Sequence, residues 1–263
     1  MTRPAGRPER SGRPAGLLGL GWLTRLGLRH RAWRYRLRVD PDGIRWMLAR
    51  LSDGDTAVDA GAYKGAYTYW MRRAVGESGV VLAFEPQPEA AYYLRSCVEA
   101  FGWANVLVLE SAVSSAAGQR LLLRPGRALS PAASLEGASL PPDPSGTVVS
   151  ADTIDRCLAR HAADRGVRFI KCDVEGHELE VFRGAESALR EHHPAILVEC
   201  EVRHMRGHDV SDVFGHLAAL GYRGSFFWNG RAEDVSRFDP RVHQVEGRRP
   251  YVNNFAFEWR ARA

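Results

Sequence analysis

The chain has 263 residues, and its 45% hydrophobic and 25% charged residues give the balance of a soluble globular protein. This length suits one sizeable α/β domain, or one domain with extensions. The four cysteines, Cys97, Cys157, Cys172 and Cys200, stand far apart and form no C-x-x-C pair. This spacing argues against a disulfide framework or a zinc motif, and it favours reduced thiols in a cytoplasmic protein.

The amino-terminal segment carries most of the positive charge. The net charge of the chain is +5, but residues 1–38 contain ten arginines and one acid, Glu9, so the remainder carries −4. Residues 1–16 are rich in Pro, Gly, Arg and Ser, a composition that predicts disorder. We therefore predict a basic, partly disordered extension over residues 1–38 and a single domain over residues 39–263.

The segment Leu17–Leu37 mixes leucine and tryptophan with arginine. We expect no signal peptide, because Arg25 interrupts the apolar run, and no stretch is long enough to span a bilayer. A basic amphipathic helix could bind an anionic membrane or a nucleic acid. The alternative is a lid or dimerisation helix with a solvated arginine face. The sequence favours this alternative over membrane contact by the basic segment, and we expect no nucleic-acid partner.

From about Pro41 the sequence alternates between helical and strand patterns. Apolar residues at helical spacing predict a helix from Ile44 to Leu51 that leads into the domain. Seven short apolar runs predict strands over Thr56–Ala60, Gly79–Phe84, Asn105–Leu109, Phe169–Cys172, Ala195–Cys200, Tyr222–Trp228 and Val252–Trp259. Further helices are predicted over Tyr63–Val75, Pro88–Phe101, Glu178–Arg190 and Val210–Leu220. This alternation predicts an α/β fold, a mostly parallel sheet covered by helices on both faces.

One segment interrupts this alternation. Residues 116–150 contain "LLLRPGRALSPAASLEGASLPPDPSG", which is rich in Pro, Ser and Gly. We predict a loop insertion here, and long loops in compact domains are often functional.

The first two predicted strands end in acidic residues. In a parallel sheet, ligands bind beyond the carboxyl ends of the strands. Asp59 closes the first strand, and Gly61 and Gly65 follow in a turn that lacks the third glycine of the dinucleotide fingerprint. Glu85 follows the second strand, near the spacing at which an acid binds ribose hydroxyls. Two carboxylates without a phosphate cradle suit S-adenosylmethionine, which carries a ribose, an ammonium group and a positive sulfur.

Four motifs together resemble a known family. They are "VDAGAYKGAYTYWM", "FEPQPEAAYYLRS", "LESAVSS" and "FIKCDVEGHELEVFRGAESAL". With these motifs, residues 57–201 resemble the FkbM family of S-adenosylmethionine-dependent methyltransferases. The resemblance implies the class I methyltransferase fold, a Rossmann-like, seven-stranded, mostly parallel sheet with an antiparallel last strand. It also implies O-methylation of a hydroxyl in natural-product or glycan chemistry.

The resemblance also assigns the cofactor residues. Four positions around the first strand would hold the methionine end of the cofactor: Asp59, Gly61, Ala62 and Gly65. Glu85 would bind the ribose, and the turn around Ala112, residues 111–113, would border the adenine. Asp173 lies where the family's fold faces the methyl group that is transferred.

The stretch "FIKCDVEGHE", residues 169–178, has the strongest concentration of ionisable groups. Methyl transfer to a hydroxyl needs aligned reactants and a base for the acceptor's proton. The candidate bases follow this strand and the next one: Asp173, Glu175, His177, Glu199, Glu201 and His204. Of these we favour Asp173, Glu175 and His204 as catalytic, while His177 could equally cap the next helix.

Lys171 is one of only two lysines among 36 basic residues, the other being Lys64. A buried lysine is compact and can change its pKa, whereas arginine cannot deprotonate. We therefore expect Lys171 to form a buried ion pair with the strand-end carboxylates, or to handle a proton in catalysis. His204 and His208, four residues apart, would permit a metal site, but no helix is predicted beneath them and we expect no metal.

The function that we predict is S-adenosylmethionine-dependent O-methylation of a small-molecule hydroxyl. One alternative is a catalytically inactive cofactor-binding adaptor that acts through the basic amino-terminal tail. The strand-end acids argue against it. The other is an NAD-dependent enzyme, which the missing glycine disfavours.

Overall fold

The computed structural model describes residues 21–124, 129–136, 145–205, 207 and 209–260. Its described residues form eleven strands in chain order: β1 (Thr56–Ala60), β2 (Val80–Phe84), β3 (Val106–Leu109), β4 (Ala112–Val113), β5 (Gly118–Arg124), β6 (Ser145–Asp152), β7 (Val167–Cys172), β8 (Ala195–Glu199), β9 (Tyr222–Trp228), β10 (Arg231–Asp234) and β11 (Asn254–Trp259). Eight of them form one central sheet in the order β10-β9-β11-β8-β7-β1-β2-β3.

The central sheet confirms the predicted fold class. Strands β3, β2, β1, β7 and β8 pair in parallel, and β11 is antiparallel to both of its neighbours, β8 and β9. All seven predicted strands are present. The eighth, β10, was not predicted and adds an antiparallel edge to β9. The order of the parallel strands switches between β1 and β7, since β2 and β3 continue on one side of this pair and β8 follows on the other, and the carboxyl ends of the strands form a crevice at this point.

Helices cover both faces of the sheet. They are α1 (Gly21–Arg34), a π-helical turn (Tyr35–Val39), α2 (Pro41–Leu48), α3 (Ala66–Val75), α4 (Pro88–Phe101), α5 (Ile154–His161), α6 (Glu178–Arg183), α7 (Glu186–His192), α8 (Val210–Ala219) and the short α9 (Pro240–His243). Alternation along the strands separates two cores. Val58 and Ile170 face one core, and Ala57 and Phe169 face the other.

The helix predicted over Glu178–Arg190 is wrong, because the structure has two helices, α6 and α7, with a break between them. Gly184 lies at the break and packs against the backbone after β4. A Cβ atom on Gly184 would lie 2.1 Å from the carbonyl oxygen of Ser114. This close contact, which the sequence pattern does not show, turns the chain between the two helices.

The segment predicted as a loop, residues 116–150, contains two paired strands in its described part. β5 pairs antiparallel with β6, and β4 pairs parallel with β6, which gives a separate three-stranded sheet. Leu122 and Val149 are buried on the face of this small sheet that packs against Ala133 and Leu135, whereas Leu121 and Val148 are exposed on the other face. The composition obscured these strands because proline, glycine and serine dominate the residues between them.

Helix α1 packs against α3 and α4. Leu28 and Ala32 are fully buried at this contact, and the indole Nε1 of Trp70 donates a hydrogen bond to the carbonyl of Ala32 at 2.9 Å. The disorder predicted for residues 1–16 lies outside the described residues. In the described part of the chain, no helix has both the length and the apolar character to cross a bilayer.

Candidate functional site

A cavity of about 250 Å³ lies at the carboxyl edge of the central sheet. Its floor consists of the residues that follow β1, β2, β7 and β8. Its cover has two parts, the inner side of α1 with its π-helical turn and the segment 129–136, which we call the cover segment.

The turn after β1 approaches the end of β7 very closely. Gly61 has a φ of +83°, and a Cβ atom there would lie 1.8 Å from the carbonyl oxygen of Asp173. The backbone N–H of Asp173 in turn donates to the carbonyl of Ala60 at 2.9 Å. Only glycine fits this position, because it combines the left-handed conformation with the absence of a side chain.

Asp59 is buried beneath this turn and lines the cavity. Its Oδ2 accepts a hydrogen bond from the hydroxyl of Thr68 at 2.5 Å. Burial raises the pKa of Asp59 to about 6, although the Thr68 hydrogen bond and the nearby Lys171 oppose this shift. Asp59 therefore holds a desolvated, partly ionised carboxylate that a positively charged ligand group would stabilise.

The other residues predicted around β1 do not all reach the cavity. Gly61 and Ala62 line it, as does Ala112 on the opposite side. Gly65 does not line it. Gly65 is the left-handed residue before α3, and a Cβ atom there would lie 2.5 Å from Leu94. The glycine thus leaves space for the side chain of Leu94 at the start of α3.

Glu85 follows β2 and is almost fully buried at the cavity wall. Its Oε2 accepts a hydrogen bond from the backbone N–H of Tyr63, and its Oε1 accepts one from the backbone N–H of Gln87, both at 2.8 Å. Burial nevertheless raises the pKa of Glu85 to about 7. The two backbone bonds fix the orientation of the carboxylate, and each oxygen retains a lone pair that can accept a ligand hydroxyl.

Lys171 lies within a cluster of carboxylates on the floor. Its Nζ is 3.7 Å from Asp173 and 3.9 Å from Glu199, and its side chain is 2% exposed. Burial disfavours the charged form of Lys171, but the carboxylates of Asp173 and Glu199 outweigh this effect and raise its pKa above the ordinary value. Lys171 therefore remains a cation, as the ion-pair interpretation requires. Burial, followed by the charge of Asp173, raises the pKa of Glu199 well above its usual range.

Glu175 and His204 form a pair at the rim of the cavity. The Nδ1 of His204 is 2.8 Å from the Oε2 of Glu175. Glu175 lines the cavity, whereas His204 lies behind it and is not among the lining residues. Burial lowers the pKa of His204, but its hydrogen bond to Glu175 and the charges of Glu175 and Glu201 together outweigh burial and raise the pKa overall. This arrangement makes His204 a partner of Glu175 rather than a base in direct contact with an acceptor.

The cover segment is attached to the floor by side-chain hydrogen bonds. The Nε2 of Gln87 donates to the carbonyl of Ser130 at 2.8 Å, and the hydroxyl of Ser134 donates to the carbonyl of Glu175 at 2.5 Å. His177 bridges the two parts, with its Nδ1 2.5 Å from Glu136 and its Nε2 3.0 Å from Ser114. The side chain of His177 makes no capping bond to α6, so the capping role is wrong, and the ring lines the cavity among the candidate bases.

Several lining residues were not predicted from the sequence. Arg31 and Tyr35 reach the cavity from the amino-terminal helix, where we had expected only a solvated arginine face. The buried Nε of Arg31 has no hydrogen-bond partner among the described residues. The hydroxyl of Tyr67 donates to Asp40, which caps α2.

Two asparagines complete the wall at the start of β11. The Nδ2 of Asn253 donates to Glu199 at 2.6 Å, and the buried Oδ1 of Asn254 has no partner among the described residues. A signal for them was present in the sequence. An antiparallel last strand begins at the edge where the parallel strands end, so "NN" at its start belongs at the cavity.

A metal site was not expected. In the described ranges, no group of three or more His, Cys, Asp or Glu side chains has the arrangement of a metal site. His208 lies outside the described residues.

Comparisons with known proteins give one family. A sequence model of the methyltransferase FkbM domain matches residues 59–223, which is more than half of the chain. Among solved structures, the chain is similar to a methyltransferase FkbM from Methylobacillus flagellatus KT, with a TM-score of 0.53 and 17% identity. That similarity covers 92% of this chain and 57% of the relative, so the chain spans little more than half of the relative's length. At this identity the similarity shows the fold.

The chain is also similar to a SAM-dependent O-methyltransferase from Thermotoga maritima, with a TM-score of 0.43 and 16% identity. That match covers 85% of this chain and 67% of the other. A search of curated proteins found no match.

Proposed function

This chain belongs to the FkbM methyltransferase family, whose methyl donor is S-adenosylmethionine, and we propose that it methylates the oxygen of a hydroxyl group on a small molecule, a natural product or a sugar. The observation that carries the proposal is the position of Asp173. Its carboxylate lies on the cavity floor beside the buried cation Lys171, and the same cavity contains Asp59 and Glu85. These positions support a base beside the donor site.

The residues of the cavity fit the donor by their charge. Asp59 and Glu85 provide desolvated carboxylates for an ammonium group and for ribose hydroxyls. Gly61 lets the turn after β1 lie directly against the backbone of Asp173, which brings these acids and Asp173 into one cavity. Arg31 and Lys64 also line the cavity, and neither has an ion-pair partner within 4 Å among the described residues. Arg31, whose guanidinium also lies over the ring of Tyr93, would hold the donor's carboxylate.

S-adenosylmethionine supplies a methyl group activated by a positively charged sulfur. The residues of the chain then have two tasks, to place the acceptor oxygen and to remove its proton. Asp173 is the base in this proposal, because it lines the cavity and its side chain is about one-third exposed. Lys171 fixes the position of Asp173 through the ion pair and stays protonated, so Lys171 is a positioning residue.

Two features support a small hydroxyl compound as the acceptor. A hydroxyl must lose its proton during transfer, and acids on the floor can accept it. The rim offers neutral hydrogen-bonding groups for further hydroxyls, namely the phenol of Tyr35 and the amide of Asn254. The cover segment and α1 close the cavity on two sides, which suits a compact acceptor more than an extended polymer.

The proposal is tested by donor binding and by methyl transfer in parallel. The purified chain is expected to bind S-adenosylmethionine in calorimetry and to transfer its radiolabelled methyl group to sugars or polyhydroxylated compounds in a panel that also contains amines and thiols. Asp173→Asn should retain donor binding and lose transfer. Transfer to amines or thiols alone would contradict the oxygen specificity, and transfer by Asp173→Asn at the wild-type rate would contradict the base.

The role of Arg31 has a separate test. Arg31→Gln removes the charge that faces the donor's carboxylate, and a charged hydrogen bond is worth roughly 1.5–3 kcal/mol. Calorimetry should show weaker donor binding by about tenfold in this variant. Arg34→Gln, an exposed arginine of the same helix, is the matched control and should bind the donor like wild type. Equal affinities for all three proteins would exclude Arg31 from the donor site.

A further inference from the structure

The outward side of the amino-terminal helical segment, residues 21–39, carries large apolar side chains that stay exposed, although one of them, Trp33, also packs edge-on against Trp70 of α3. Trp22, Leu23, Leu26, Trp33 and Leu37, which we call the outward face, are 45% to 64% exposed. The inward side is a different set, in which Leu28 and Ala32 are fully buried against α3 and α4. The helix therefore has two apolar sides, and only one of them is covered by the described residues.

Helical geometry groups most of the outward face into a single stripe. At 3.6 residues per turn, Trp22, Leu26 and Trp33 fall within one narrow sector of α1, with Leu23 to one side of it, and Leu37 follows in the π-helical turn. Arg29 and Arg34 fall on opposite edges of this sector, and both are exposed. The pattern is an apolar stripe bordered by arginines on both sides.

The charge of this region has one sign. Residues 21–38 contain six arginines and no acidic residue, and the whole segment 1–38 carries +9. An arginine border would attract an anionic surface, and the tryptophans have the ring chemistry that is enriched at membrane interfaces. A basic helix with tryptophan and leucine on one side lies in the plane of an anionic bilayer surface.

We propose that the outward face of α1 docks the protein on the surface of an anionic lipid bilayer. A second copy of the chain fits this face poorly, because two segments of +9 would face each other and repel. A nucleic acid would use the arginines but would leave the tryptophan and leucine stripe in water. Only an anionic lipid surface satisfies both the charge and the apolar stripe.

Docking in this orientation would concern the cavity as well. Arg31 and Tyr35 belong to the same continuous helical segment and line the cavity from its inner side. The segment that meets the lipid would therefore also be one wall of the methylation site. The interaction itself does not depend on the proposed acceptor, so its test needs no activity assay.

The test is vesicle sedimentation of the full chain. Vesicles of phosphatidylcholine alone are compared with vesicles that also contain phosphatidylglycerol. The expected result is binding that depends on phosphatidylglycerol. The outward-face variant combines Trp22→Ser, Leu26→Ser and Leu37→Ser. It should lower the partitioning of the protein onto anionic vesicles by roughly tenfold or more, because it removes apolar groups that would enter the interface. These side chains are exposed, so the melting temperature should stay at the wild-type value.

A matched control removes the same number of exposed apolar side chains elsewhere. It is the triple variant Leu121→Ser, Val148→Ser and Val242→Ser, whose side chains are 51% to 66% exposed. The control should sediment with anionic vesicles like wild type.

Four results would overturn the proposal. In the first, the wild-type chain does not bind anionic vesicles, and in the second, the outward-face variant sediments with them as well as wild type does. In the third, the outward-face variant and the control lose vesicle binding equally. In the fourth, size-exclusion chromatography shows a wild-type dimer that becomes a monomer in the outward-face variant. The last result would identify the outward face as a contact between copies.

Discussion

The floor and the cover of the cavity are built from different kinds of structure. The floor is formed where parallel strands end, so backbone ladders hold Asp59, Lys171 and Glu199 in place before any side-chain contact is counted. The cover segment depends instead on a few side-chain hydrogen bonds, such as those of Gln87 and Ser134. The floor is therefore held by the sheet itself, whereas the cover segment is held by individual side chains that single substitutions can remove.

Burial also differs between the two regions. The floor concentrates ionisable groups where water is excluded, and the pKa values of Asp59 and Glu85 are raised as a result. The cover contributes one cation, Arg31 of α1, and one aromatic ring, Tyr35 of the π-helical turn, and both lie before the residues matched by the family model. Substitutions on the floor should therefore change both the stability of the protein and its chemistry, whereas substitutions on the cover should change one without the other.

The largest effect is expected on the floor, at Lys171. Lys171→Met removes the only cation that contacts Asp173 and Glu199 among the described residues, and it leaves buried carboxylates without a partner. Breaking a buried ion pair in this way lowers the free energy of unfolding by roughly 3–5 kcal/mol. Chemical denaturation of wild type and variant measures this loss.

The matched control is Lys64→Met, because Lys64 is the other lysine of the chain and lines the same cavity. It has no ion pair within 4 Å in the described ranges, so its removal should change stability by less than about 0.5 kcal/mol. A Lys171→Met protein that unfolds like wild type but no longer transfers methyl groups would show that Lys171 acts in catalysis and not in structure.

The next largest effect tests whether α1 is part of the folded domain. Leu28 is fully buried and Leu26, half a turn away, is half exposed. Leu28→Ala should lower the free energy of unfolding by roughly 2–5 kcal/mol, because it leaves a cavity between α1 and α3. Leu26→Ala removes the same atoms from an exposed position and should stay within about 0.5 kcal/mol of wild type. Denaturation curves that coincide for the two variants would mean that α1 is not packed on the domain in solution.

The sequence predicted the floor well because strand patterns identify where a sheet ends. Asp59, Glu85 and Asp173 each follow an apolar run, and parallel strands bring their carboxyl ends to one edge. The roles of Gly65 and His204 were misplaced for a tertiary reason. Gly65 packs against Leu94 and His204 lies behind Glu175, and no local sequence pattern predicts either contact.

The cover could not be predicted from local patterns. The hydrogen bonds between Gln87 and Ser130 join residues 43 positions apart. Arg31 is one of ten arginines in residues 1–38, and nothing in the sequence distinguishes it from the others. It reaches the cavity because α1 packs on α3 and α4. Long-range packing of this kind depends on the whole fold rather than on any window of sequence.

Glu85→Gln tests the donor side of the floor. The substitution keeps the size of the side chain and removes the charge that would accept the ribose hydroxyls. A hydrogen bond to a charged group is worth roughly 1.5–3 kcal/mol, so donor affinity should fall by about tenfold or more. Calorimetry measures this, with Glu99→Gln on the exposed side of α4 as the control. An unchanged dissociation constant for Glu85→Gln would remove Glu85 from the donor site.

The smallest effect concerns pH, and its sign follows from burial. The pKa values of Glu85 and Asp59 are raised to about 7 and about 6, so both carboxyls gain protons as the pH falls from 7.5 to 5.5. The protonated forms lose the charge that attracts the donor's ammonium group and positive sulfur. Donor affinity should therefore be highest at pH 7.5 and fall several-fold by pH 5.5. An α-amino group titrates at a pH of about 7.7–8.0, so the donor's ammonium group stays mostly protonated across this window and the change in affinity comes from the carboxyls.

Proton release provides the independent measurement. A donor that prefers the ionised carboxyls must displace protons on binding, so the binding enthalpy near pH 6.5 should depend on the ionisation enthalpy of the buffer. Glu85→Gln has one of the two titrating groups removed and should show a flatter pH profile with fewer protons released. An affinity that rises as the pH falls would mean that the floor binds the donor through protonated carboxyls, and the assignment of Asp59 and Glu85 to its positive groups and ribose would then be wrong.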